Sequence, residues 1–193
     1  MFEVARPVKP SVEDFGGIRS HVRSLLDGRV FEEFHLDSGV GDPIVGTIDY
    51  LVTPPLLEFA GIQPTVVPCY PISQQIAEKL HALTRFHPVG EGSWVKDLVD
   101  ILLTAGLAEI DGTFLMKALE ATFDVRQTHP LPDLFPDVPS GWTTAFRKMA
   151  EEVGLHYGSL EEANNAAKGF LNPILSRVVQ GRWDPIQWSW RLG

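Results

Sequence analysis

The sequence predicts an α+β protein: a strand-rich part over residues 1–70 and a helical domain over residues 71–193. Three observations predict it. Strand-like alternation and Gly/Pro punctuation run from Met1 to about Tyr70, and the apolar spacing turns helical from Pro71 onward. Hydrophobic residues make up 44% of the 193 positions and charged residues only 21%, enough to bury a core and too apolar for a disordered or fibrous chain.

The elements follow in order. Met1 to Arg6 alternates as a half-buried strand does, and a chain that opens inside a strand is expected to be missing its beginning. Ile18, Val22, Leu25 and Leu26 fall at helical spacing and stop at Asp27-Gly28, which predicts a short helix over 18–26. Val30 to Asp37 reads as a strand with Phe34 and Leu36 on one face and Glu33, His35 and Asp37 on the other. Helices are expected around the stripe Ile72, Ile76, Leu80, Leu83 and around Trp94, Leu98, Ile101, Leu102, Ala105. Further helices are expected at Leu115–Phe123, at Phe146–Val153, and after the capping box Ser159-Leu160-Glu161-Glu162, with Asn172-Pro173 ending or restarting the last. Between Thr128 and Trp142 the prolines at 130, 132, 136 and 139 predict an irregular connector.

A formal net charge of −9 argues against broad, sequence-independent nucleic-acid binding, which needs an excess of Lys and Arg. A local cationic surface for RNA would draw on Arg19, Arg23, Arg29, Arg85 and Lys96, although scattered solubilising charge accounts for them equally. The single cysteine, Cys69, has no intrachain partner, and no apolar run nears the roughly 18 to 20 residues of a membrane span. The expectation is a cytoplasmic protein with no membrane partner.

Three polar residues stand beside apolar stripes and define the candidate site. Asp37 ends a strand and precedes the loop Ser38-Gly39-Val40-Gly41-Asp42; a carboxylate there suits Mg2+ or a proton from an attacking hydroxyl, and equally a turn cap. Lys79 sits at the margin of the first helical stripe, with Glu78 and His81 facing away, and aims a compact charge at a phosphate or simply snorkels. Asp97 lies beside Ile101 while Lys96 points to solvent, so it either orients a group in a cleft or favours the start of its helix. Glu33, His35 and Asp37 along one strand do not converge as metal ligands do, and the chain has no P-loop, dinucleotide fingerprint or nucleophile elbow.

The runs Phe34-His35-Leu36-Asp37-Ser38-Gly39, Phe59-Ala60-Gly61-Ile62, Ala77-Glu78-Lys79-Leu80-His81-Ala82-Leu83 and Lys96-Asp97-Leu98-Val99-Asp100, in this order and spacing, resemble the AbiEii/AbiGii nucleotidyltransferase toxin family. The likeness extends through Ala118-Leu119, Arg126, Thr128-His129-Pro130, Trp142, Asn172-Pro173 and Trp183-Asp184-Pro185. The resemblance implies a nucleotidyltransferase core similar to that of DNA polymerase β over residues 1–70, an appended helical domain, and action in a type IV toxin-antitoxin pair. It further implies NMP transfer from a nucleoside triphosphate, in some members to a tRNA acceptor end, with Mg2+ as cofactor and a cognate antitoxin as partner. Residue by residue, it makes Asp37 the third carboxylate of the core strand and a metal ligand, Lys79 the nucleotide-phosphate contact, and Asp97 the acid of the last motif. The family's Gly-Gly/Ser turn and Asp-x-Asp pair are not found in this sequence; Gly16-Gly17 has no such pair after it. The chain is therefore expected to correspond to the carboxyl-terminal portion of such an enzyme, with weak or absent transfer. The alternative expectation is a non-catalytic module that binds nucleotide, RNA or antitoxin.

Overall fold

The computed structural model describes residues 1–8, 17–39, 44–85, 92–178 and 181–192, and the chain divides into two compact units, Met1–Pro43 and Ile44–Gly193. Gly16, Val40, Gly41 and Asp42 lie outside the described residues.

The first unit is an antiparallel sheet of three strands in the order β1 (Phe2–Val4), β2 (Gly17–Leu26), β3 (Arg29–Gly39). Residues 18–26 are thus a strand and not the expected helix. The signals that predicted a helix fit a strand too: Ile18, Val22 and Leu26 also obey a period of two, and the positive-φ signature of a helix end is the signature of a hairpin turn. Asp27 (φ 50°) and Gly28 (φ 74°) are both left-handed, as a two-residue turn matching strand twist requires. Pairing decides between the two readings. Arg19 stands opposite Asp37, His21 opposite His35 and Arg23 opposite Glu33, so both arginines meet carboxylates on one polar face. Phe2, Val4, Ile18, Val22, Phe34 and Leu36 form the apolar face, with Val22 buried. A bulge between Ser24 and Leu25 realigns the register near the turn.

The second unit begins with a hairpin, β4 (Asp49–Val52) and β5 (Val66–Cys69), and continues with α1 (Ile72–Thr84), α2 (Gly92–Leu107), β6 (Ile110–Asp111), α3 (Gly112–Arg126), α4 (Thr143–Val153), α5 (Leu160–Leu175), β7 (Gly181–Asp184) and β8 (Ser189–Leu192). The helical stripes converge as their spacing predicts: Ile76, Leu80, Leu98, Ile101, Leu115 and Leu119 are fully buried in one core. The connector after α3 is irregular, yet it contributes buried Phe135 and Trp142. Ser159 caps α5 by accepting the Glu162 N–H at 3.1 Å. Pro173 lies inside α5, which neither stops nor restarts at Asn172-Pro173 but closes at Leu175, with Ser176 N returning to the Asn172 carbonyl at 2.9 Å.

The sequence also left out a small sheet in the order β6-β7-β8 that closes the helical unit. Its tryptophans act as anchors. Trp183 is fully buried and donates Nε1–H to the Ala105 carbonyl at 2.8 Å, and Trp190 donates to the Phe170 carbonyl at 2.8 Å. At the start of α3, a Cβ on Gly112 would stand 2.9 Å from Ile174 Cδ1 and 3.0 Å from the Gly181 carbonyl oxygen, so this approach of α3 to α5 and β7 requires glycine.

Candidate functional site

Helix α1 buries Ile76 and Leu80 and leaves Lys79 at the edge of the packed face, where its stem is covered and its amine reaches α2. On α2, Leu98 and Ile101 anchor the core, so Asp97 and Asp100, three residues apart, share the side that meets Lys79. Nζ lies 3.2 Å from Asp97 Oδ1 and 2.7 Å from Asp100 Oδ2. Lys96 is exposed, as its helical position predicts.

Burial and the contacts across the cluster shift the titration of Lys79 and Asp97. Partial burial works against the charge on Lys79, but hydrogen bonds to Asp100 and Asp97 outweigh it, and the amine titrates above the ordinary lysine range. Asp97 moves the other way from most ion-paired acids. Burial raises its carboxyl above the usual range, and the repulsion of Asp100 adds to that against the pull of Lys79.

Asp37 belongs to the first unit, where its partner is Arg19. Arg19 Nε donates to Oδ1 at 2.6 Å and Nη2 to Oδ2 at 2.7 Å, a bidentate pair set by the cross-strand register. The hydrogen bond from Arg19 holds the Asp37 carboxyl below the usual carboxylate range. Arg23 is likewise engaged by Glu33 at 3.1 Å and Glu3 at 3.5 Å, so neither arginine is a free cation of the sheet. Arg29 and Arg85 are exposed. His35 lies against His21 with ring centroids 5.4 Å apart and the rings tilted by 51°.

These side chains do not by themselves fit Mg2+. Both oxygens of Asp37 are taken by a guanidinium, both carboxylates near Lys79 face an ammonium, and no three His, Cys, Asp or Glu side chains are grouped to hold an ion among the described residues. Asp42, the further carboxylate the sequence offered, is outside them.

The sequence missed two features. His81 does not face away from the packed stripe but is buried at 2% exposure, with its ring against Phe123 and His129. Thr128 Oγ1 lies 2.7 Å from His81 Nε2 and 2.9 Å from His129 Nδ1, and Thr84 Oγ1 lies 2.8 Å from His129 Nε2. The Thr128-His129-Pro130 run was the available signal, but a histidine on a helical wheel does not announce a hydroxyl some 47 residues later in the chain. The second feature is Asp100, present in the Lys-Asp-Leu-Val-Asp run and nearer to Lys79 than Asp97 is.

A cavity of about 420 Å³ opens beside β4 and the starts of α1 and α3, lined among others by Asp49, Tyr50, Ser73, Glu109, Asp111 and Phe114. Its lining includes neither Lys79 nor Asp97, and its charged groups are carboxylates without Lys or Arg, which is poor chemistry for a polyphosphate. The cationic group nearest the sequence-predicted site, Lys79, lies in the α1/α2 cluster and not in this hollow. No described helix is long and apolar enough to cross a membrane.

A family model described as nucleotidyl transferase AbiEii toxin, type IV TA system, matches residues 1–168. That span includes Asp37, Lys79 and Asp97 and leaves out the β7–β8 hairpin. No curated protein matches the chain.

Proposed function

The chain belongs to the AbiEii nucleotidyltransferase toxin family of type IV toxin-antitoxin systems, and from that premise we propose that it binds a nucleoside triphosphate with Lys79 against the phosphates. In an enzyme of this kind the acceptor hydroxyl attacks the α-phosphorus, the bond to the β-phosphate breaks, and pyrophosphate leaves. The acceptor we propose is a tRNA end, and the partner is a cognate antitoxin. Lys79 would offset charge on the leaving phosphates, Asp97 would hold the lysine in place, and Asp37 would supply the carboxylate of the core strand.

The observation that carries this reading is the half-exposed Lys79 ammonium, held on two carboxylates of the next helix at the spacing of the family motif. It is a charge held by the fold through a hydrogen bond to Asp97 and an ion pair with Asp100. A second reading, binding without turnover, is favoured by the engagement of both Asp37 oxygens by Arg19. On this second reading, transfer by the chain is weak or absent while the lysine contact persists.

Titrating the chain with each of the four Mg-NTPs, then assaying radiolabelled NMP transfer to total tRNA, tests both readings. Saturable binding that is lost in Lys79→Ala supports the phosphate contact, and label on tRNA that is lost in Asp37→Ala supports the enzyme. Binding that survives Lys79→Ala unchanged dismisses the site.

A further inference from the structure

An ammonium carries three N–H donors; Lys79 donates one to Asp97 Oδ1 at 3.2 Å and forms an ion pair with Asp100 Oδ2 at 2.7 Å. The two acceptors differ in setting. The Asp97 side chain is 11% exposed and that of Asp100 28%, while Lys79 itself keeps 35% of its side chain open to solvent. Residues three apart on a helix lie side by side, so α2 presents these carboxylates as a fork across the end of the Lys79 stem. Asp97 is the acid that the family motif selects, yet Asp100 makes the shorter contact.

From this geometry we propose that Asp100 is a positioning residue: together with Asp97 it keeps the Lys79 amine charged and in one place, so that the amine is presented to a triphosphate. This rests on the reading that Lys79 meets the phosphates. A lysine stem has several rotatable bonds, and an amine that is fixed before the ligand arrives does not lose that freedom on binding. The fork also explains why two carboxylates stand where a polyanion is to bind. Their repulsion acts through a half-exposed, screened site, whereas the direction they give the ammonium acts at hydrogen-bond distance.

The test uses the full chain, with sodium tripolyphosphate and Mg-ATP as probes, titrated calorimetrically from pH 7.5 to 10.5. Asp100→Asn is expected to weaken binding about three- to tenfold, as the loss of a partly exposed charge-assisted contact does. It is also expected to move the alkaline loss of binding to lower pH, and Asp100→Glu to restore both. A role confined to folding would change Tm without moving that alkaline limb. Unchanged or tighter binding in Asp100→Asn overturns the proposal, because Asp100 would then be a bystander or a competitor of the phosphate. Lys79→Ala separates the two failures: if it binds as well as the unaltered chain, the underlying phosphate reading has failed. A second measurement needs no nucleotide. In reductively 13C-methylated protein, with the Lys79 signal assigned from Lys79→Arg, the amine should titrate at lower pH in Asp100→Asn, and an unmoved titration rejects the inference.

Discussion

The His81 and His129 rings lie tilted at 38° with centroids 4.7 Å apart and share one hydroxyl group, that of Thr128. Arg126 Nη1 lies 3.4 Å from His81 Nδ1, and because a guanidinium only donates, this nitrogen accepts. The direction of the whole chain then follows. His81 Nε2–H donates to Thr128, Thr128 donates to His129 Nδ1, His129 Nε2–H donates to Thr84, and Thr84 donates to the Leu80 carbonyl at 2.8 Å. Both imidazoles are neutral in this arrangement, and the relay ties α1 to the connector that follows α3.

The relay makes stability depend on pH near neutrality. Burial, followed by the charge of Arg85, lowers the pKa of His129, so the unfolded chain takes up this proton more readily than the folded one. The contribution is fully present above the unfolded histidine pKa, about 6.5, and is lost as pH falls from there through the folded value. Tm measured between pH 8 and pH 5 should decline more steeply for the unaltered chain than for His129→Asn. Equal slopes would show that the relay does not titrate.

Thr128→Val keeps the shape of the side chain and removes the hydroxyl that serves both rings. With His81 at 2% exposure, its Nε2–H is then left buried without that acceptor, and the cost should be about 1–3 kcal/mol in urea unfolding. A change within experimental scatter would mean that water takes the hydroxyl's place.

Asp97 should act on stability and on binding in opposite directions. Its folded pKa is raised, so its contribution to stability is full below the unfolded carboxyl value, about 4, and is lost as pH rises through the folded value. At pH 7 the ionised, buried carboxylate is a burden, only partly relieved by a lysine that it shares with Asp100. Asp97→Asn is expected to leave Tm at pH 7 unchanged or raise it, while lowering tripolyphosphate affinity. A marked fall in Tm would show that the ion pair outweighs burial.

Gly112→Ala should destabilise the chain by about 1–3 kcal/mol, because the added methyl has to push Ile174 or the Gly181 backbone away from the start of α3. Gly169→Ala is the comparison: a Cβ there meets nothing within 4 Å, and in a helix interior alanine is the better residue. Chemical denaturation should therefore shift to lower denaturant for the first and not for the second.

The helical unit was largely legible in the sequence because its information is local. A stripe such as Ile72, Ile76, Leu80, Leu83 needs only the 3.6-residue period to define a buried face, and Ser159-Leu160-Glu161-Glu162 needs only four positions to define a helix start. The same local rule failed over 18–26, where helix and strand periods coincide, and pairing with β3 settled the matter. It also passed over β7 and β8, whose tryptophans find their acceptors on α2 and α5.

The sequence by itself determined which residues carry charge beside an apolar stripe, and Lys79 and Asp97 can be named from spacing and motif alone. Only the tertiary structure decided what each charge faces. Arg19 takes both oxygens of Asp37 through a strand register, Asp100 joins Lys79 through the packing of two helices, and Thr128 reaches His81 from a segment without regular structure. Periodicity fixes the direction of a side chain relative to its own element, whereas its partner depends on which element packs opposite, at separations of 18 to 47 residues in these contacts.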